Sequence, residues 1–432
     1  MKVIYDISVL GMGSYHPRAR TGIFRVVENL AQELVKAEAI SSFSSSLSIS
    51  CYLDCIDYLQ SNPTLGGVTL SKPDVNEVSL HVLQYLNIRA NINVNNSAPW
   101  YVQGINRLAN GMAYRIFAHA NRYLIHKTIN RDVLAANEIY HSPFYPIPEH
   151  IKSSDKLKKV ITVYDLIPVL YPKYFQFQED NLIHSILKSI DNETWVTCIS
   201  HATKNDLCNY LPWLDPSKVL VTHLAASALF YRCQDQVMLK QVRTKCGIPD
   251  VPYILSLSTL EPRKNITQTI RCFVRLVEQE KINDLSLVLV GAKGWDFDSI
   301  FEEIAASPKI RDRIIVTGYV ADEDLAPLYS AAMMFVYPSF YEGFGLPPLE
   351  AMQCGIPVIT SNTSSLPEVV GEAGVMVDPQ DADELCQAML NIYNSAEIRK
   401  KMSLDSLEQA KKFSWKRCAD ETIETYKLAI AG

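Results

Sequence analysis

The chain has 432 residues, 48% of them hydrophobic and 20% charged, with a formal net charge of −6. That length exceeds one ordinary hydrophobic core, so two domains are expected, and the composition excludes a disordered or fibrous chain. The negative charge opposes a general nucleic-acid binder. The N-terminal run MKVIYDISVL is interrupted by Asp6 and does not read as a secretion signal. No stretch approaches the roughly twenty apolar residues of a membrane span. Ten cysteines occur without a C-x-x-C pair, and the close pair Cys51 and Cys55 lacks partners at metal-site spacing. Reduced, buried thiols and a cytoplasmic location are the expectation.

Strand and helix signals alternate in two rounds. The first round opens with a strand at 2–8, a loop through Gly22 and an amphipathic helix over about 23–37. The serine-rich residues 41–47 read as a loop. Residues 78–131 contain no Asp or Glu but carry Arg89, Arg107, Arg115, Arg122, Lys127 and Arg131. Within 107–131, Leu108, Met112, Ile116 and Tyr123 fall near helical spacing. One reading is a packed helix with a solvated basic face; the other is a face resting on an anionic membrane or an anionic acceptor. Continuous apolar strands follow at 136–142, 160–166 and 194–200, as buried parallel strands require.

Residues 228–251 are mixed in polarity and read as a bridge between domains. The second round has strands beginning near 252 and at 285–291, 313–319, 333–339 and 357–361, with helices at 266–280 and 322–331 among them. The fold class is therefore α/β, with two doubly wound Rossmann-like domains facing a cleft at the carboxyl ends of their strands.

Gly11-Met-Gly13 imitates the start of a dinucleotide fingerprint, but His16 stands at the third glycine position, so a nicotinamide site is disfavoured. In Arg20-Thr-Gly-Ile-Phe-Arg25, Gly22 would let the backbone approach a phosphate closely; a plain loop glycine is the equal alternative. Glu261-Pro-Arg-Lys-Asn265 follows the first strand of the second round. Its Arg263 can grip a diphosphate with a planar fork and Lys264 as a point charge, against the plainer reading of a solvated turn. In Tyr337–Glu350, two carboxylates, Glu342 and Glu350, flank seven residues that include two glycines and an exposed-looking Phe344. A glycine-rich turn into a helix aims N–H groups at a phosphate, and flanking carboxylates accept hydroxyl hydrogen bonds. Glu350 also suits a first helical turn near Pro347 and Pro348, where the dipole favours it.

EPRKN (261–265), YEGFGLPPLEAMQCGIPVITSN (341–362) and SLPEVVGEAGVMVDP (365–379) resemble glycosyltransferase family 4 of the GT-B superfamily. TGIFRV (21–26), YHSPFYPIP (140–148) and VYDLIP (163–168) extend the resemblance over nearly the whole chain, apart from roughly 41–135. Within the family the chain looks most like the mannosyltransferase-like branch of bacterial surface polysaccharide synthesis.

The resemblance implies an N-terminal acceptor-binding domain at 1–230 and a nucleotide-sugar-binding domain at 231–414, with 415–432 packing back on the first. It implies retaining transfer of a hexose, best guessed as mannose from GDP-mannose, to a glycan or lipid-linked oligosaccharide. Arg263 and Lys264 would neutralise the diphosphate, and Gly22 would cap it from the other domain. Glu342 would contact the donor sugar, and Glu350 the ribose hydroxyls. Phe344, Gly345 and Leu346 would present backbone amides, and Gly318 and Tyr319 would meet the base. No metal or other cofactor is expected, since fixed cations and helix N-termini supply the charge.

Tyr164, beside Asp165, stands where many relatives carry a histidine near the sugar. All nine histidines precede residue 224, so His141, at a strand end, becomes the candidate histidine; a structural role is as reasonable. A nucleotide-sugar epimerase of the same architecture and a non-catalytic sugar-nucleotide-binding scaffold are the alternatives. The first would rearrange donor without acceptor, and the second would bind donor without transfer.

Overall fold

The computed structural model describes residues 1–15, 22–91, 100–123, 129–175 and 182–432. Its strands form two six-stranded sheets. The first contains β1 (Val3–Asp6), β2 (Ser42–Ser44), β3 (Ile139–Ser142), β4 (Lys158–Val163), β5 (Thr194–Cys198) and β6 (Val219–Val221). The second contains β7 (Tyr253–Leu257), β8 (Ser286–Val290), β9 (Ile314–Gly318), β10 (Met334–Tyr337), β11 (Val358–Ser361) and β12 (Val375–Val377). Strand orders are β2-β1-β3-β4-β5-β6 and β12-β11-β10-β7-β8-β9, and every pairing is parallel.

Helices cover both faces, which is why β1, β5, β8 and β10 are buried along their length. Helix Ile23–Lys36 shows how the cover forms. Phe24, Val27, Leu30, Ala31 and Leu34 recur every three or four residues and all turn inward.

The order in which strands are added reverses between β1 and β3 and between β7 and β10, while all strands stay parallel. At such a switch point neighbouring loops diverge and leave a crevice at the carboxyl ends of the strands. The loops after β7 and β10 carry Arg263, Lys264 and Glu342, so topology brings these distant segments together.

Some expectations change. The serine run at 41–47 includes a strand, β2, whose backbone pairs with β1 in register Ile4–Ser42. Only Phe43 anchors it in the core, between two buried serines, and one apolar residue in a serine run gives no strand signal. Gly11 and Gly13 lie inside helix Ser8–Tyr15 rather than in a phosphate loop. The 228–251 bridge contains helix Gln236–Lys245, which packs on helix Asp322–Ser330. Residues 78–131 supply two packed helices, Glu77–Asn91 and Trp100–Tyr123. The side chains of Arg89, Arg107, Arg122, Lys127 and Arg131 lie outside the described residues. Among described residues, no helix is long and apolar enough to cross a membrane.

The last helix, Trp415–Ala431, returns from the second sheet to pack on helix Ile23–Lys36 and on β4 and β5. Its buried Tyr426 hydroxyl lies 2.6 Å from His141 Nδ1, and Thr162 Oγ1 lies 2.9 Å from Nε2. Burial pushes the His141 imidazole down to about 3. Neutral His141 is thus part of the native state, while the unfolded chain protonates it below about pH 6.5. This contribution is full above that pH and falls as pH drops toward 3, by about 2 kcal/mol at pH 5. Chemical denaturation at pH 7 and pH 5 should therefore show a smaller acid loss for His141→Gln than for wild type. Equal losses would mean that His141 is not held neutral.

Candidate active site

After β7 the chain turns through Pro262–Lys264 into helix Ile266–Gln279. After β10 it runs through 338–345 into helix Leu346–Gln353. Glu342, only 8% exposed, joins the two loops. Its Oε2 accepts from Arg263 Nη1 at 2.9 Å, and its Oε1 accepts from Lys264 Nζ at 2.6 Å and from the Tyr337 hydroxyl at 2.8 Å. Arg263 Nη2 also donates to Glu261 Oε1 at 2.7 Å, and Nη1 to the Tyr341 carbonyl at 2.7 Å. Burial alone would raise the Glu342 carboxyl, but Lys264 and Arg263 outweigh it and hold the group at about 2. Burial works the other way on Lys264 and lowers it despite Glu342.

Donor capacity remains. Arg263 Nη2 has two N–H bonds for one partner and the Lys264 ammonium has three for two, while the buried Arg263 Nε has no partner. Glu342 is therefore the anchor of the cations, whereas the sequence suggested a free acceptor for sugar hydroxyls.

Glu350 faces a different part of the crevice. Helix Leu346–Gln353 begins at Leu346, so Glu350 lies beyond its first turn and the dipole does not explain it. It lines an interdomain cavity of about 310 Å³ together with Gly22, Arg25, Tyr319, Leu346 and Trp415. Its Oε2 accepts from the Tyr329 hydroxyl at 3.2 Å. Burial lifts the carboxyl to about 7, against the pull of Arg25 and Tyr329. Arg25 also pairs with Asp322, so first and second domains meet at the rim.

Gly22 has φ +52° and immediately precedes helix Ile23–Lys36. Gly318 has φ +72° at the end of β9 and directs the following Tyr319 outward, 62% exposed. Gly345 has φ +113° directly before Leu346, a conformation that favours glycine, and a Cβ there would stand 2.8 Å from Leu366 Cδ2. Phe344 is not exposed as expected. It is 4% exposed and packs against His223 and Phe413 at 6.2 and 5.9 Å between ring centroids. Its side chain locks the loop and leaves only backbone for a ligand.

The first domain closes over this loop. A Cβ at Gly343 would stand 2.7 Å from the Tyr164 carbonyl oxygen and 2.8 Å from Asp165 Cβ, so only glycine permits the approach. The Gly343 carbonyl accepts from Ser200 Oγ at 2.7 Å and Thr203 Oγ1 at 3.2 Å. Asp165 Oδ1 accepts from Ile167 N at 3.0 Å. Burial raises its carboxyl, while that N–H and Arg263 oppose the rise. Asp165 thus joins the electrostatic group around Arg263, Glu342 and Lys264. Tyr164 is buried beside Phe144. His141 does not join: both ring nitrogens are engaged in the first domain's core, which corrects its expected place beside the sugar.

Residues 240–408 match the family described as Glycosyl transferases group 1. The chain is 35% identical over 291 residues to O-antigen chain mannosyltransferase B of Escherichia coli, covering 67% of this chain and 74% of that protein. The chain belongs to the group 1 glycosyltransferases. It is also 28% identical over 273 residues to the serotype-specific mannosyltransferase WbdA of Escherichia coli, covering 62% of this chain and 33% of that protein. The fold resembles that of Anabaena HepE, solved with UDP and glucose, with a TM-score of 0.64, 13% identity and 99% of each chain covered. The architecture of this glycosyltransferase is therefore GT-B.

One interdomain group of the glycosyltransferase escaped sequence reading. Glu368, in helix Leu366–Val370 of the second domain, accepts from the backbone N–H groups of His201 and Ala202, both at 2.8 Å. These open helix His201–Tyr210 in the first domain. His223 Nε2 lies 3.3 Å from the same carboxylate. A carboxylate from one domain thereby caps a helix of the other. Its sequence signal is a glutamate beside Pro367 in the family-like segment, which does not reveal its partner. Glu368→Ala should raise the Michaelis constant for the donor by about three- to thirtyfold, the equivalent of a lost cap. Glu368→Gln, which keeps an acceptor oxygen, should fall between that variant and wild type. Wild-type kinetics for the alanine variant would exclude a role in closure.

Proposed function

We propose that this glycosyltransferase moves mannose from GDP-mannose, with retention of configuration, to a hydroxyl of a surface-polysaccharide glycan carried on a lipid. The observation that carries this reading is the pair Arg263 and Lys264, held on Glu342 at the switch point beside the cavity lined by Glu350. The names of the two Escherichia coli relatives support mannose and, in the first case, O-antigen chain synthesis.

In this reading the diphosphate meets the remaining donors of Arg263 and Lys264, and the ribose hydroxyls meet Glu350. Tyr319 lies at the cavity wall where the base would rest. Backbone amides at Gly345 and Leu346 lead into the helix N-terminus and add positive potential. The bond from the anomeric carbon to the phosphate oxygen breaks, and the diphosphate keeps the electron pair. The acceptor oxygen attacks from the same face and its proton passes to the departing phosphate. Preorganised cations stabilise the charge that grows on the leaving group. They need no added metal for that task. Domain closure through Gly343 and Glu368 would keep water from the donor.

Arg263→Ala should lower turnover by about a hundredfold or more, as loss of one fixed charge-stabilising group does. The assay is transfer from GDP-mannose to a panel of glycosides with hydrophobic aglycones. Near-normal turnover would exclude the leaving-group role.

Glu350 gives a pH test. Its buried carboxyl titrates at about 7, and only the ionised form accepts two hydroxyl hydrogen bonds. Calorimetry should show GDP-mannose affinity falling about tenfold per pH unit below 7. Glu350→Gln should bind weakly without that slope. A wild-type affinity that does not change from about one unit above pH 7 to about one unit below it would contradict the ribose assignment.

A further inference from the structure

We infer that the hairpin of helices Glu77–Asn91 and Trp100–Tyr123 is a docking surface for an anionic lipid bilayer. The hairpin is inserted between β2 and β3 in chain order. Among the described side chains, each helix buries only one side. Leu83 and Phe117 pack inward with Ile49, Tyr52 and Leu53. The opposite sides are apolar too. On the first helix, Val78, Val82, Tyr85 and Ile88 recur at spacings of four and three, and are 51–75% exposed. On the second, Leu108, Met112 and Ile116 recur every four residues and are 56–73% exposed. Such spacing makes a continuous stripe on each helix. A helix facing water ordinarily carries polar residues there, and contiguous exposed apolar surface marks a contact site.

Charge selects the occupant. The chain carries a net charge of −6, yet 78–131 holds six Lys or Arg and no Asp or Glu. The two helices themselves carry Arg89, Arg107, Arg115 and Arg122 against a single carboxylate, Glu77. Arg115 is exposed. A second copy meeting this face symmetrically would set basic helices against basic helices. An anionic bilayer accepts both features: apolar side chains enter the acyl boundary while cations meet the headgroups. Docking there would also hold the cleft near acceptors carried on lipid. The inference stands independently of which sugar is transferred, because binding is measured without turnover.

The test is vesicle flotation of the full chain, using phosphatidylcholine vesicles with and without phosphatidylglycerol. Wild type should float with the anionic vesicles and far less with the neutral ones. The combined variant Val82→Ser, Tyr85→Ser, Met112→Ser and Ile116→Ser should bind the anionic vesicles about tenfold more weakly or worse. Arg115→Glu alone should reduce binding several-fold, which keeps the test decisive if the combined variant folds poorly. Failure of wild type to bind anionic vesicles, or unchanged binding by Arg115→Glu and the folded combined variant, would overturn the inference. So would vesicle-free self-association of wild type that the combined variant abolishes, since that would assign the face to a second copy.

Discussion

The Glu342 carboxylate bonds to a guanidinium, an ammonium and a phenol at once, and the geometry of the crevice follows from that arrangement. Taking one carboxylate and two cations out of water is costly, and pairing offsets the cost only while all three stay together. Arg263 and Lys264 come from the loop after β7, and Glu342 from the loop after β10. The cluster therefore staples the two loops that diverge at the switch point. It also keeps cations in place before any anion arrives, so little reorganisation is needed when charge develops. The negative partners, Glu342 and Glu261, prevent bare positive charge from accumulating in the empty crevice.

That staple is tied to the other domain through the next residue. Gly343 lies against Tyr164 and Asp165, and its carbonyl is held by Ser200 and Thr203. Glu368 caps the helix that begins directly after Ser200. On the other flank, the Tyr341 hydroxyl donates to Asp206 Oδ2 at 2.7 Å and its ring lies 4.6 Å from Tyr171. Separation of the domains would break these contacts together. Loop position, cation position and closure are thus one mechanical problem, solved by side chains bonded to one another across the two domains.

Much of the fold is legible because buried parallel strands are unbroken apolar runs, as in 194–200 and 285–291. β2 is not, because its single core residue, Phe43, stands alone in a run of serines. The motif residues 263, 264, 342 and 350 are legible through their residue types and the family resemblance. Their division of labour is not. Glu342 and Glu350 look equivalent from either end of a glycine-rich turn, yet one is committed to cations and the other lines a cavity. Phe344 looks exposed between two glycines because its neighbours, His223 and Phe413, are far away in sequence. His141 sits at a strand end, as a catalytic histidine can, but a helix from the far C-terminus covers it. The charge bias of 78–131 is visible in sequence, whereas its outward apolar stripes appear only once the buried side is known.

The most direct measurement is a crystal structure of the chain with a bound nucleoside diphosphate. The account predicts phosphate oxygens within hydrogen-bond distance of Arg263 and Lys264 while both remain bonded to Glu342, with the ribose hydroxyls on Glu350. A nucleotide bound elsewhere, or one whose phosphates leave both cations untouched, would contradict it.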